Sequence, residues 1–151
     1  YHSFMEKDRF EQFQDSLNHF LEILDPLTDP EYNNWYALTD SEKDFNEFLA
    51  EVRESHAEFL SGEYSQLEWE LGDVVMDLFC LICKLEDEGR IDASNVLEKV
   101  RAKMDRRKPH LLKRQKISKE EEIRLWNEAK RAEGYPEERL WSQKREETGN
   151  T

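Results

Sequence analysis

Two runs of acidic side chains repeat one spacing: Glu51, Glu54 and Glu58, then Glu70, Asp73 and Asp77. Both sets fall at i, i+3 and i+7, so each forms a carboxylate stripe along one face of a helix. In the second run Val74, Val75, Met76, Leu78, Phe79, Cys80, Leu81, Ile82 and Cys83 surround Asp77 with apolar side chains. A carboxylate in such surroundings is costly unless a positive charge neutralises it. Two facing acidic stripes joined by a short turn make a cage for a hard divalent cation, and Mg²⁺ takes near-octahedral oxygen ligation from carboxylates, waters and substrate phosphates. Either trio alone also fits a solvated helix face, or acids favoured by the dipole near a helix start. The conjunction is what points to metal. Each trio borders its helix's apolar stripe on the same side, so antiparallel neighbours can aim both into one cleft, and Asp77 lies too deep for a solvated face.

A second constellation is basic. Lys99, Lys103, Arg106 and Arg107 share a helical stripe, followed by Lys108, Lys113, Arg114 and Lys116. The later cations suit the C-terminal end of a helix dipole. Lys103, Arg106 and Arg107 are candidates for phosphate contacts, because guanidinium forks pair bidentately with phosphate oxygens. Trp126 and Lys130 stand at i, i+4, where an indole beside an ammonium could flank a base and a phosphate; a core position for Trp126 is the ordinary alternative.

The elements that must position these groups read as about five helices. The first covers 4–25, with Phe10, Phe13, Leu17, Phe20, Leu21 and Leu24 at helical spacing, and Asp25-Pro26 ends it. Residues 26–38 form a connector carrying an isolated Trp35. The second starts near Thr39, where Thr39-x-x-Glu42 reads as a capping box, and shows an apolar face of Phe45, Phe48, Leu49, Val52, Phe59 and Leu60 up to Gly62. The third, 65–88, is apolar almost all round in its middle and belongs at the centre of a bundle. Such a helix needs more cover than small neighbours supply, which predicts a homodimer across a two-fold axis, with a tetramer as the larger alternative. The fourth runs from Asp92 to before Pro109. The fifth opens on the capping box Ser118-x-x-Glu121 and ends at Gly134. Residues 1–134 are expected to form one helical domain, and 135–151 a polar, loosely held tail.

Composition bounds the alternatives. A chain of 151 residues suits one domain with a real core, and five Gly and four Pro against 38% charged residues favour helix over sheet. The net charge of −13 argues against non-specific binding to nucleic acid or an anionic membrane, but not against a nucleotide escorted by Mg²⁺. No apolar run of about 18 residues offers a membrane span, and no signal-peptide pattern is legible. Cys80 and Cys83 form a C-x-x-C inside an apolar helix, without the second ligand pair of a zinc site or the helix N-terminus of a redox pair. Two buried free thiols in a reducing compartment, the cytoplasm, is the expectation.

In order along the chain, these blocks resemble the MazG-type nucleoside triphosphate pyrophosphohydrolases. Glu51-Val52-Arg53-Glu54 is similar to the family's E-x-x-E, and Glu70-Leu71-Gly72-Asp73 to its E-x-x-D. Glu88-Gly89-Arg90-Ile91-Asp92, Lys103-Met104-Asp105-Arg106-Arg107-Lys108-Pro109-His110 and Trp126-Asn127-Glu128-Ala129-Lys130-Arg131-Ala132-Glu133 resemble later family segments. Trp35 falls at the distance before Glu51 of the tryptophan in the family's C-P-W-D. Asn33-Asn34-Trp35-Tyr36 replaces that motif, Ala50 stands where a further Glu is frequent, and Lys108 replaces a His, departures that bear on substrate choice rather than on the principal acids.

The resemblance implies an all-α enzyme splitting NTPs or dNTPs into the monophosphate and pyrophosphate. It also implies Mg²⁺, with Mn²⁺ as a substitute, on Glu51, Glu54, Glu70 and Asp73, and attack of water at the α-phosphorus. Glu54 would take the proton, Glu58 and Asp77 would support the ligands, Lys103, Arg106 and Arg107 would steady the phosphates, and Trp126 and Lys130 would contact the nucleotide. A dedicated dUTP/dCTP or phosphoribosyl-ATP pyrophosphohydrolase is the narrower alternative, and a non-enzymatic acidic interaction module the alternative from another class.

Overall fold

Every regular element among the described residues, 8–142 of a computed structural model, is helical. The α-helices are α1 (Arg9–Leu27), α2 (Asn34–Leu38), α3 (Ser41–Ser61), α4 (Leu67–Asp87), α5 (Ala93–Arg107) and α6 (Lys119–Ala132), with 3₁₀ turns at Tyr64–Gln66 and Glu137–Arg139. The chain divides into two compact units, Tyr1–Ala93 and Ser94–Thr151. The start expected for the first helix, residues 4–7, lies outside the described residues.

In the first unit the helix boundaries follow local polar chemistry. Asp8 caps α1 by accepting the amide of Glu11 at 2.8 Å. Pro26 does not stop this helix; it sits in the last turn, and Thr28 closes the end by donating its amide and its hydroxyl to the Leu24 carbonyl. Trp35 is not isolated on a connector but lies on α2, whose cap is Asn33. Asp40, not Thr39, caps α3, accepting the amide of Lys43 at 2.9 Å. The Asp40 carboxylate, one residue on, accepts the Lys43 amide, in place of the expected Thr39 and Glu42 capping box. Gly62 ends α3 in the left-handed region at φ 77°, which an L side chain rarely adopts.

The antiparallel hairpin of α3 and α4 dominates this unit, and the faces it brings together are the polar ones. Asp44 and Ser55 are the buried residues of α3, and Asp77, Cys80, Leu81 and Lys84 those of α4. The expected apolar face of α3 is turned outward instead: Phe45, Leu49, Val52, Phe59 and Leu60 are all exposed, as are Leu71, Val75 and Leu78 of α4. Thus α4 is not fully enclosed by the described residues of one chain. α1 packs on α4 through Phe20 and Phe79, whose rings meet edge to face at 5.4 Å. Both cysteines are free, Cys80 buried and its thiol pushed up to about 12, chiefly by burial, which suits an inert core residue.

In the second unit Ser118 caps α6 as expected, accepting the amide of Glu121. The stretch after Pro136 is less loose than its polarity implied. Asn127 of α6 pairs with both backbone groups of Trp141, at 2.8 and 2.9 Å, and Leu140 is buried. Residues 143–151 of the expected tail lie outside the described residues.

Candidate metal centre

The shared face of α3 and α4 gathers the carboxylates that the spacing singled out. Glu51, Glu70 and Asp73 each offer an oxygen, and these oxygens lie within 4.8 Å of one another. Mg²⁺–oxygen bonds of about 2.1 Å place ligands on opposite sides of one ion about 4.2 Å apart, so small torsional changes bring all three oxygens onto one cation. Glu54 bears electrostatically on both Glu51 and Glu70, and Glu58 on Glu70. One oxygen of Glu51 and one of Glu70 are buried with no hydrogen-bond donor among the described residues. Acceptors left in that condition are what a cation would satisfy.

The electrostatics point the same way. Burial first, then the charges of Glu54, Asp73 and Asp77, pushes the Glu51 carboxyl up to about 7. Glu70 is raised by burial and by its acidic neighbours, and Asp77 by burial and by Glu47, Asp73 and Asp44. Such like-charge crowding is typical of a site completed by a positive ligand.

Two participants escaped the sequence reading. Glu47 joins Glu51 and Asp77 in a second group of oxygens within 4.8 Å, and Asp44, 2% exposed, lies a turn further on. Their signal was present: Asp44 and Glu47 carry the spacing of Glu51, Glu54 and Glu58 backward along α3. Asp77, expected to support the ligands, offers a ligand oxygen itself.

At the far end of the hairpin the cation is built in. The Lys84 ammonium donates to the Tyr36 carbonyl and lies 3.5 Å from the centre of the Tyr36 ring, while burial raises the neighbouring Asp44 carboxyl against the smaller opposing effects of Thr39 and Lys84. The buried Tyr36 hydroxyl donates to Asp87 at 2.5 Å, and Glu88 accepts from the amide and hydroxyl of Ser41. These bonds tie α2, through Tyr36, and the start of α3, through Ser41, to the end of α4.

The basic candidates all lie in the second unit. Arg107 is buried, pairs with Glu133 at 2.7 Å and packs over the rings of Trp126 and Tyr135. Lys130 is buried, donates to the Arg139 carbonyl and lies over Tyr135. Trp126 meets Trp141 edge to face at 6.1 Å. Arg107 and Lys130 therefore help hold this unit together, and Trp126 lines a pocket of about 220 Å³ with Lys108, Lys130 and Trp141. Arg106 is exposed beside Glu133 at 3.5 Å, and shares a groove with Lys103 and Lys99. These positions do not by themselves assign phosphate contacts.

The fold is all-α, and the opposed acidic stripes of α3 and α4, with their buried carboxylate oxygens, form a candidate group of ligands for a cation. Residues 42–112 match the family model described as the MazG nucleotide pyrophosphohydrolase domain, in agreement with the resemblance of the sequence blocks. The match contains every carboxylate of the hairpin cleft from Asp44 to Asp77, together with Lys103, Arg106 and Arg107. No curated protein and no solved structure gives a significant match to the chain. Among the described residues no helix is long and apolar enough to cross a membrane.

Proposed function

We propose that this protein is a Mg²⁺-dependent nucleoside triphosphate pyrophosphohydrolase, releasing pyrophosphate and leaving the nucleoside monophosphate. The observation that carries the reading is the group Glu51, Glu70 and Asp73, with its buried unpartnered oxygens, inside the segment that matches the MazG domain. Glu51, Glu54, Glu70 and Asp73 would hold the cation. When bound, it would lower the pKa of a water and offset charge building on the phosphates. Mn²⁺ meets the same oxygen ligands and would substitute.

Glu54 is the proposed proton acceptor. It is exposed, and it lies close enough to Glu51 and Glu70 to sense both. Lys103 and Arg106 are proposed to neutralise phosphate charge, and Trp126 to contact the nucleotide from its pocket; Arg107 and Lys130 would contribute beside their internal bonds. The apolar residues left exposed on α1, α3 and α4 support a homodimer.

The test is product analysis over a panel of NTPs and dNTPs, non-standard bases included, with Mg²⁺ or EDTA. Mg²⁺-dependent monophosphate plus pyrophosphate is expected, with Glu70→Gln and Asp73→Asn each losing at least about a hundredfold of kcat/KM, an effect on the scale of losing a key electrostatic contact. Folded protein that binds Mg²⁺ and turns over none of the panel would defeat the broad substrate reading.

A further inference from the structure

We propose that Lys108 and Trp141 select the base of the nucleotide, favouring one that carries a ring carbonyl where adenine and cytosine carry an amine. The inference rests on the pyrophosphohydrolase reading, in which Trp126 meets the nucleotide, and deepens it. The family blocks assign neither residue: Lys108 stands where they have a His, and Trp141 lies beyond the last of them.

The pocket lined by Lys108, Trp126, Lys130 and Trp141 has a volume of about 220 Å³. Sites for drug-sized ligands run upward from about 300 Å³, so this one suits a single ring system. Its two indoles are set edge to face, 6.1 Å apart at 79°. A flat ring laid against one therefore turns its rim toward the other. Trp141 is held as a wall, because Asn127 bonds both of its backbone groups and the preceding Leu140 is buried. The lining side chains carry ammonium and indole N–H groups, all donors, and no acceptor. One of these donors, Nε1 of Trp141, is buried with no acceptor among the described residues. A lining of this kind suits a ligand that brings acceptors.

Lys108 is placed to read them. Its ammonium lies 5.6 Å from the centre of the Trp126 ring, within reach of the rim of a base stacked there. Glu122 accepts one of its three N–H bonds at 2.9 Å, which fixes the group and leaves donors for a ligand. An ammonium pairs with O6 and N7 of a 6-oxopurine, or with O4 of uracil. Against an exocyclic amine it meets a second donor, and both stay unpaired.

Titration of the full chain with nucleoside monophosphates tests this, by calorimetry and tryptophan fluorescence. IMP is expected to bind at least about fivefold tighter than AMP, and UMP than CMP, the scale of one good base contact. All four should quench tryptophan emission, and Trp141→Ala should weaken all four. Lys108→Met, which keeps the length and removes the donors, should lower IMP to the affinity of AMP and leave AMP unchanged. In turnover it should raise KM for ITP but not for ATP, with kcat held. If Lys108→Met folds poorly, Glu122→Gln, which only loosens the ammonium, should narrow the preference for IMP. Equal affinities for IMP and AMP, binding of none of the four, or a preference that survives Lys108→Met would overturn the assignment. Affinities untouched by Trp141→Ala would do the same. IMP preferred by a chain that turns over no triphosphate would keep the pocket and remove the pyrophosphohydrolase reading. Turnover of ITP and ATP alike, unchanged in Lys108→Met, would remove the base selection alone.

Discussion

Glu51 stands between two groups of acids and belongs to each. Its carboxyl, at about 7 in the folded chain against 4.5 ordinarily, sets a measurable pH dependence. Between those values the folded protein binds more protons at this site than the unfolded chain does. The stability contributed by the protonated group is complete below pH 4.5 and is lost as pH rises through about 7. Metal-free protein should therefore lose thermal stability across that window, and Mn²⁺ should raise Tm much more at pH 8 than at pH 5, where protons compete with it. A metal-induced shift in Tm that does not depend on pH would show that Glu51 is no ligand. At this scale the sequence was most legible where period and burial coincide: the spacing put Glu51, Glu70 and Asp73 on two stripes able to face each other, and their oxygens do lie together. Asp44 and Glu47 escaped because Phe45, Phe48 and Leu49 make that stretch of α3 read as an apolar face. Arg107 looked like a free phosphate fork because its partner Glu133 is far away in sequence and no local pattern announces the pair.

The α3–α4 hairpin is the element that carries the centre, and its cohesion is polar at one end and strained by like charge at the other. Gly72 lies on α4 between Leu71 and Asp73, and a Cβ built there meets nothing within 4 Å. Helix packing within the described residues thus gives no reason for a glycine. Gly72→Ala is expected to stabilise the protein by about 0.5–1 kcal/mol in urea denaturation, through the lower conformational entropy of the unfolded chain. If Gly72→Ala is stabilised but loses affinity for nucleotide, the open space beside Asp73 is occupied by substrate; if it is destabilised, a partner copy approaches there. The existence of the long helices was legible from apolar period and from Ser118 and Gly62, whose chemistry is local. Boundaries were less so. Thr28 sealing the turn around Pro26 and Asp40 displacing Thr39 as cap each depend on which donor a short side chain reaches in three dimensions, which spacing does not encode.

For the molecule as a whole, the exposed apolar residues matter more than the charges. Phe10, Phe13 and Leu17 on α1, Phe45, Leu49 and Val52 on α3, and Leu71, Val75 and Leu78 on α4 remain uncovered. A net charge of −13 keeps such a chain dispersed but does not remove the gain from covering these faces. The proposed homodimer makes folding and association one equilibrium, so Tm should fall as the protein is diluted from about 100 µM to about 1 µM, and light scattering should give twice the chain mass. A monomer whose Tm is independent of concentration would sink that proposal. The dimer was suggested by the apolar girth of α4, but the surfaces left open include α3 as well. The face of α3 that seemed made for its own core is the one turned outward, because its acids occupy the contact with α4.

Lys84 also gives the hairpin a direction. Its tether clamps the end remote from the connecting turn, where Tyr36, Asp44, Asp87 and Glu88 converge with Ser41. Toward the turn, from Glu54 to Asp73, the acids of the two stripes bear on one another with like charge. Without metal the pair should breathe like tweezers hinged at Lys84. Amides near Glu54–Glu58 and Glu70–Asp73 would then exchange with deuterium much faster than those near Asp44 and Lys84, and Mn²⁺ would slow the first set while leaving the second unchanged. Uniform slowing along both helices would mean that the clamp and the cleft open as one unit.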